Sequence, residues 1–413
     1  MMEKVDVNGN YRVSDDKDEQ KYLKKKVRAN SSSLFVPRSS ILSLASLGSW
    51  QSKLIFHTFN LICLYDAVIV ASNHWGDRKS FNYFWNHVFS AMAGTFTNGL
   101  LQFIFHHFWI VIQWNLINRI KNVSIFALLQ IPLISILFYI STNLTIESSN
   151  GTLLRIAMTC ETIRFTMKFW SLVAETYGKD EAERATLGEL FYFLFAPTLI
   201  FRKVYPRTKR TSWLRVFGMI SLVYLNMAFI GRLVINVTYP NMLLFVKEKK
   251  ILSISTISMA LVSPIVLMGI WLMHFHTWQN LWAEILRFAD RDFYGPWWVS
   301  ESNFKMIKEW NPIIHKFIKT YMFDSVSKKF VPTNIKFILV AIASGIGHDY
   351  IFSLAIKDVT LICTYTYFIP FAIAHKLIFK NLKYFTQFVL LVVLSFYKLH
   401  LFYRGTKSLT LYF

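Results

Sequence analysis

Cysteine and charge are both scarce in this chain of 413 residues. The three cysteines, Cys63, Cys160 and Cys363, fall in apolar stretches without pair spacing, so neither a disulfide framework nor a metal site is indicated. Only 17% of the residues are charged, whereas 54% are hydrophobic and the mean hydropathy is +0.36. A soluble enzyme of this size carries more charge. The composition therefore predicts a polytopic membrane protein.

Acidic residues are the scarcer of the two charged classes. Asp and Glu number 24 against 45 Lys and Arg, which gives a formal net charge of +21. In a soluble protein this excess would favour nucleic acid as a partner, but in a membrane protein it is typical of cationic cytoplasmic loops. It also fits contact with anionic lipid headgroups or with an anionic cosubstrate. We therefore expect membrane lipids, and no nucleic acid, as partners.

The apolar runs predict an all-α polytopic membrane protein. Residues 1–50 lack an apolar period and carry mixed charge, which indicates a flexible cytosolic tail without a cleavable signal peptide. Residues 51–413 form one transmembrane domain with about nine helical crossings. The predicted crossings lie at about 54–72, 88–114, 123–142, 151–174, 213–237, 252–275, 334–356, 359–379 and 383–403. With the tail inside, most Lys and Arg fall in cytosolic loops.

The fourth predicted crossing contains two charged residues, Glu161 and Arg164. Their i, i+3 spacing lets them pair on one helical face, which lowers the cost of burial. The alternative for this segment is an amphipathic helix at the membrane interface. Residues 187–215 also resemble an interfacial helix, because an apolar run too short to cross the bilayer passes into a basic cluster.

The apolar run 334–356 carries two ionisable residues, His348 and Asp349. Ionisable groups at that depth are costly and usually face a cavity or a partner. Small residues precede His348 on this helix, namely Ser344, Gly345 and Gly347. Their small side chains would let a slender substrate approach the imidazole. His348 is therefore interpreted as the base of a reaction inside the membrane. A histidine packed and hydrogen-bonded between helices is the alternative.

The loop 281–323 interleaves aromatic residues with Lys and Arg. This pattern suits a ligand that has both a purine ring and phosphates, but it also suits an aromatic belt at the headgroups. His315 follows Asn311 by four residues, so the two share a helical face, and His315 either steadies the loop or the ligand or is an ordinary interfacial residue. The other histidines, His106, His107, His274 and His276, are read as interfacial or core residues rather than metal ligands.

Four ordered motifs in this chain resemble the membrane-bound O-acyltransferase superfamily, and in particular its sterol O-acyltransferase branch. They are residues 191–208 (FYFLFAPTLIFRKVYPRT), residues 283–294 (AEILRFADRDFY) with the following Trp297 and Trp298, Trp310-Asn311 with His315, and His348-Asp349-Tyr350. Residues 161–168 (ETIRFTMK) also resemble the sterol branch more closely than the related diacylglycerol acyltransferases.

The resemblance implies a fold, a location and a reaction. It implies helices surrounding an internal reaction chamber in the endoplasmic reticulum membrane, and assembly as a homodimer or homotetramer. Acyl-CoA would enter from the cytosol as cosubstrate and a sterol would arrive from the bilayer, with no further cofactor. The expected product is a steryl ester for storage. The alternatives are diacylglycerol or another long-chain alcohol as acceptor, or a non-catalytic relative that binds lipid or acyl-CoA.

The resemblance also implies roles for particular residues. His348 would be the catalytic base, and Asn311 its polar partner, either as the donor to the carbonyl oxygen or as a residue that orients a substrate. Ser344 would contact the thioester, and the residues expected to contact CoA are Trp297, Lys308 and Trp310. Two departures stand out. Where the family pattern is Phe-Tyr-X-Asp-Trp-Trp-Asn, this chain has FYGPWWV at 293–299, so the acid and the amide are replaced by Pro296 and Val299. Where the family usually has a His-Glu pair, this chain has His348-Asp349.

Overall fold

The structure is a computed structural model that describes residues 36–40, 42, 50–73, 96–147, 150–238, 240–241, 244, 254–300, 303–325, 331–361 and 363–365. These residues form helices and no strand. The helices are α1 (Trp50–Asn73), α2 (Phe96–Arg119), α3 (Val123–Ile146), α4 (Thr152–Thr176), α5 (Leu187–Phe195), α6 (Trp213–Leu233), α7 (Ile254–Trp271), α8 (Gln279–Ile285), α9 (Asn303–Trp310), α10 (Pro312–Ile318) and α11 (Thr333–Ile356). Turns of π-helix extend α6, α7 and α10.

Four helical segments of the described residues are long and apolar enough to cross a bilayer. They are Thr97–Arg119, Val123–Ile146, Trp213–Thr238 and Ile335–Ile356. Each overlaps a predicted crossing, so the all-α membrane class is confirmed at this level. The predicted crossings at 359–379 and 383–403 lie almost entirely outside the described residues, as does most of the predicted tail. The total of nine crossings therefore stays a prediction.

The helices pack in two groups. In the first, α2, α3 and α4 contact one another, and α11 packs mainly against α4 with a smaller contact to α3. In the second, α1, α6, α7 and α8 pack together with the π turns that follow α6 and α7. One hydrophobic core joins the groups, because it contains Phe165 of α4, Leu190 of α5, Trp271 of α7 and Phe293 of the loop after α8.

Helix α5 belongs to this core. It begins with a capping box, in which the Thr186 side chain accepts from the backbone N–H of Glu189 and the Glu189 side chain accepts from that of Thr186. Its apolar face is buried, with Leu190, Phe193 and Leu194 each at 0% exposure. The helix is shorter than the predicted interfacial segment 187–215, and an interfacial position for it stays a prediction. The helix spans only Leu187–Phe195, and it packs one side into the core while Leu187 and Phe191 on its other side are exposed.

Charged residues of α4 secure the end of α5. Glu161 and Arg164 form the predicted i, i+3 pair, with Nε–Oε2 and Nη2–Oε1 distances of 2.7 and 2.5 Å. Lys168 is 1% exposed, and its ammonium donates to the last carbonyls of α5 and the residue after it, those of Phe193, Leu194 and Ala196, at 2.5, 2.9 and 2.9 Å. A cation at a helix C-terminus satisfies carbonyls that lack helical partners. The motif at 161–168 thus anchors the motif at 191–208.

Candidate functional site

His348 lies two thirds of the way along α11, on its exposed side. Its Nδ1 lies 2.8 Å from the carbonyl oxygen of Ser344, one helical turn earlier. A carbonyl oxygen can only accept a hydrogen bond, so in the neutral ring Nδ1 carries the proton and Nε2 carries the lone pair. The ring is therefore oriented by its own helix, in the tautomer that a general base needs at Nε2.

The small residues before His348 have two different surroundings. A Cβ added to Gly345 would lie 2.6 Å from Oγ1 and 2.8 Å from Cα of Thr364, whereas one added to Gly347 would meet nothing within 4 Å. Gly345 therefore makes room for the chain after α11 and not for a substrate, which corrects the prediction for this residue. Ser344 is partly buried and contributes its carbonyl to His348, so a thioester contact by its hydroxyl stays a prediction.

Asp349 points away from solvent and holds the segment after α11. Its carboxylate is 2% exposed and accepts hydrogen bonds from the backbone N–H groups of Cys363 and Thr364, at 2.6 and 2.9 Å. The hydroxyl of Thr364 donates a third, at 2.6 Å. A carboxylate that accepts from successive backbone N–H groups is a typical anchor for the start of a helical turn. The acid beside His348 thus fixes the chain that packs against Gly345.

Arg155 of α4 secures the other end of the same helix. Its side chain is 7% exposed, and its Nε and Nη2 donate to the carbonyl oxygen of Ala355 at 3.0 and 2.7 Å. It also donates to the carbonyl oxygen of Asn150 and to the hydroxyl of Thr152. Because Ala355 belongs to the last turn of α11, its carbonyl has no helical partner of its own. The arginine therefore ties the end of the His348 helix to α4.

The motifs at 191–208 and 283–294 are brought together by backbone hydrogen bonds. The backbone N–H of Thr208 donates to the carbonyl oxygen of Arg287 at 2.8 Å, and that of Ala289 donates to the carbonyl oxygen of Pro206 at 3.0 Å. Glu284, 2% exposed, accepts from the Ser212 N–H at 2.8 Å and from the Arg291 guanidinium. Two stretches separated by about 80 residues of sequence therefore form one hydrogen-bonded unit.

The aromatic loop between α8 and α9 is folded around tryptophans. Trp297 packs edge to face on Trp271 and on Trp310, with ring centroids 5.3 and 4.5 Å apart. It is only 4% exposed, so its indole lies inside the core, whereas Trp310 is partly buried. A direct contact of either ring with CoA stays a prediction, and for Trp297 it would require the loop to open.

Asn311 begins α10, and its Oδ1 accepts from the backbone N–H of Ile314 at 3.1 Å. This is an N-cap, and the proline that follows is typical of the first helical position. The cap uses only the oxygen of the side-chain amide, so the role of its Nδ2 group as a donor to a substrate oxygen stays a prediction. The predicted pairing of Asn311 with His348 in one reaction stays a prediction.

A cluster of cations surrounds His315 on α10, formed with Lys308, Lys316 and Lys319. Partial burial and the charges of these three lysines lower the pKa of His315 below its ordinary value. Lys308 is exposed at the end of α9, and Lys319 is exposed after α10. The cluster presents positive charge beside the aromatic loop, which is the arrangement expected for binding a polyanion.

A short N-terminal segment lies against this loop. The backbone N–H of Arg38 donates to the carbonyl oxygen of Ala289 at 2.9 Å, and that of Arg291 donates to the carbonyl oxygen of Arg38 at 3.1 Å. The Ser40 hydroxyl lies 2.8 Å from the phenol oxygen of Tyr294 and 3.2 Å from Nδ1 of His276. Residues 36–40 and 42 are thus docked, and the predicted flexible tail does not extend over them.

Asp290 forms an ion pair with Arg38 of this segment. It is 3% exposed, and its carboxylate lies 3.4 Å from Nε of Arg38 and 3.9 Å from Nζ of Lys316. Asp292 lies between the same two cations, at 2.5 and 3.0 Å. Burial raises the pKa of Asp290 to about 6, because it outweighs the opposing attraction to Lys316 and Arg38.

We expect the stability of the folded protein to fall as pH rises from about 4 to about 6 because of Asp290. An acid whose folded pKa is raised binds more protons when folded than when unfolded, so ionisation costs stability over that interval, by about 3 kcal/mol. In Asp290→Asn this component is absent. Thermal unfolding of both proteins in detergent between pH 4 and pH 7 measures it. Parallel pH profiles for the two proteins would contradict the assignment.

Comparison with known proteins places these features in a family. The sequence model of the membrane-bound O-acyltransferase family (MBOAT) matches residues 186–400. Sterol O-acyltransferase 2 of Homo sapiens is 32% identical over 211 residues, which are 48% of this chain and 40% of that protein. Sterol O-acyltransferase 1 of Rattus norvegicus is 29% identical over 237 residues, 52% of this chain and 42% of that protein. The alignments thus cover less than half the length of these relatives.

Proposed function

The chain belongs to the membrane-bound O-acyltransferase family, and from this premise we propose that it transfers a long-chain fatty acyl group from acyl-CoA to a sterol hydroxyl. The product is a steryl ester for storage. The observation that carries the proposal is the hydrogen bond from Nδ1 of His348 to the Ser344 carbonyl, because it fixes the tautomer whose Nε2 accepts a proton. The ring stands on an exposed side of α11, where a substrate can approach it.

The reaction needs one base and no covalent enzyme intermediate. Nε2 of His348 removes the proton of the sterol hydroxyl as that oxygen attacks the thioester carbonyl carbon. The carbon–sulfur bond then breaks, and the CoA thiolate takes the proton from the imidazolium, so the ring returns to its starting state. The Nδ2 group of Asn311 donates to the carbonyl oxygen while negative charge develops there.

The cation cluster supports acyl-CoA as the donor substrate. Lys308 and Lys319 lie close to His315 beside the aromatic loop, and these two lysines carry positive charge that the CoA phosphates require, whereas the lowered pKa of His315 favours its neutral form. The proposal places the protein in the endoplasmic reticulum as a multi-pass homodimer or homotetramer, with this cluster facing the cytosol. Sterol would reach His348 from the bilayer.

The acceptor alcohol is tested by an acceptor panel. Microsomes that contain the full chain are incubated with radiolabelled oleoyl-CoA and with cholesterol, diacylglycerol or a long-chain alcohol in turn. We expect label in steryl ester at about ten times the level seen with the other acceptors. Label in triacylglycerol or wax ester instead would support the sibling activity. CoA binding without any ester would identify a non-catalytic relative.

A further inference from the structure

Glu309, in the last turn of α9, contacts both ends of the segment 295–300 of the aromatic loop. Its carbonyl oxygen accepts from the backbone N–H of Gly295 at 2.7 Å. Its carboxylate Oε2 accepts from the hydroxyl of Ser300 at 2.6 Å. Ser300 is only 1% exposed, so this hydrogen bond is protected from water. One residue therefore closes the loop from 295 to 300.

The loop is shaped to fit the Glu309 side chain. A Cβ at position 295 would lie 2.7 Å from Cγ and 2.8 Å from Cβ of Glu309, which is closer than real Cβ contacts come. Glycine at 295 is thus what allows Glu309 to lie across the loop. The neighbouring Trp310 packs on Trp297 from the same helix end, with centroids 4.5 Å apart. The end of α9 therefore supports the loop at its ends and at its middle.

The loop has no acidic residue of its own at the position where the family pattern places one. Pro296 precedes the single turn Trp297–Val299 and provides no side-chain hydrogen bond to it. An aspartate in that N-cap position would offer a side-chain acceptor to the backbone N–H groups after Trp297, whose own N–H donates to the carbonyl oxygen of Gly295 at 2.9 Å. Proline fits the backbone there, with φ of −78°, but has no acceptor.

We infer that Glu309 is a positioning residue that holds the aromatic loop in shape for acyl-CoA, in place of the acid missing at position 296. The inference rests on the proposed function for the ligand, but the contacts that carry it are independent of the reaction. The Glu309 carboxylate accepts a hydrogen bond from Ser300 and belongs to α9, outside the loop. An aspartate at 296 would instead accept from the backbone of the turn and would belong to the loop itself.

The test uses purified full-length protein in nanodiscs and two measurements. The first is the rate of tryptic cleavage after Lys305, which is exposed on α9 beside the loop. In Glu309→Ala we expect this rate to rise about tenfold, because a buried hydroxyl loses its charged acceptor. The second is the KM for acyl-CoA, which should rise about tenfold while the KM for the acceptor alcohol is unchanged.

Two rescue variants separate positioning from general damage. Glu309→Gln keeps an acceptor oxygen and the packing on Gly295, so it should stay within about threefold of the parent in both measurements. The double variant Glu309→Ala with Pro296→Asp adds an N-cap carboxylate to the turn 297–299. It should therefore return the cleavage rate and the KM for acyl-CoA most of the way to the values of the parent. Glu181→Ala, on an exposed turn far along the sequence, is the matched control and should change neither measurement.

Each outcome decides the inference. Unchanged cleavage in Glu309→Ala overturns it, and so does a double variant that is cleaved as fast as Glu309→Ala. An equal rise in both KM values would indicate general misfolding and would also overturn the positioning role. A parent protein that forms no ester defeats the proposed function alone, because the cleavage rates still report whether Glu309 holds the loop.

Discussion

Replacing His348 with alanine should reduce ester formation by about three orders of magnitude while the protein still folds and inserts. A positioned general base contributes roughly 10² to 10⁴ in rate, and no other described side chain takes the hydroxyl proton in the proposed reaction. The substitution removes the exposed hydrogen bond to the Ser344 carbonyl within α11, and an exposed position leads us to expect an effect on stability within about 1 kcal/mol.

The measurement is the rate of labelled steryl ester formation in microsomes at saturating oleoyl-CoA. His348→Gln serves as a second variant, because it keeps a polar side chain of similar size without a base of suitable pKa. His274→Ala is the matched control, since His274 is also exposed on a helix in an apolar region and has no role in the reaction. Activity above about a tenth of the parent level in His348→Ala would remove the proposed mechanism.

The sequence was sufficient to predict features that depend on local order. The helices form where apolar residues run long enough to cross a bilayer, and the Glu161–Arg164 pair forms because i, i+3 spacing places both on one face. His348 stood out because an ionisable residue in an apolar run needs a reason to be there. All three signals lie within a single helix, which is why a reading of the chain could find them.

The contacts that hold the site in place join residues that are far apart in the sequence. No pattern within a single helix predicts such contacts. Arg155 reaches a carbonyl 200 residues away, and Lys168 reaches carbonyls more than 20 residues away. A lone basic residue in an apolar stretch does indicate a buried partner, but it does not say which carbonyl that partner is. Gly345 shows the same limit, because the residue that needs its missing Cβ is Thr364, beyond the end of α11.

The second large effect is expected at Asp349, and it should appear in stability rather than in the chemistry. In Asp349→Ala two backbone N–H groups and the Thr364 hydroxyl lose their acceptor in a buried place, at a cost of about 3 kcal/mol or more. The segment 363–365 should then separate from Gly345. We expect a marked fall in thermal stability in detergent and a matching loss of folded protein.

The pH profile of activity distinguishes this role from a direct one in catalysis. If Asp349 tuned the charge of His348, Asp349→Asn would shift the pH profile of the surviving enzyme. Because its carboxylate is hydrogen-bonded to Cys363 and Thr364 and not to the imidazole, the folded fraction of Asp349→Asn should keep a profile close to that of the parent, shifted only by the loss of one nearby charge, while its stability falls. Asp358→Ala is the control, since Asp358 is exposed just after α11 and its hydrogen bond to Ser353 uses the backbone. A shifted profile with unchanged stability would assign Asp349 to the reaction, and the anchor would have to be sought elsewhere.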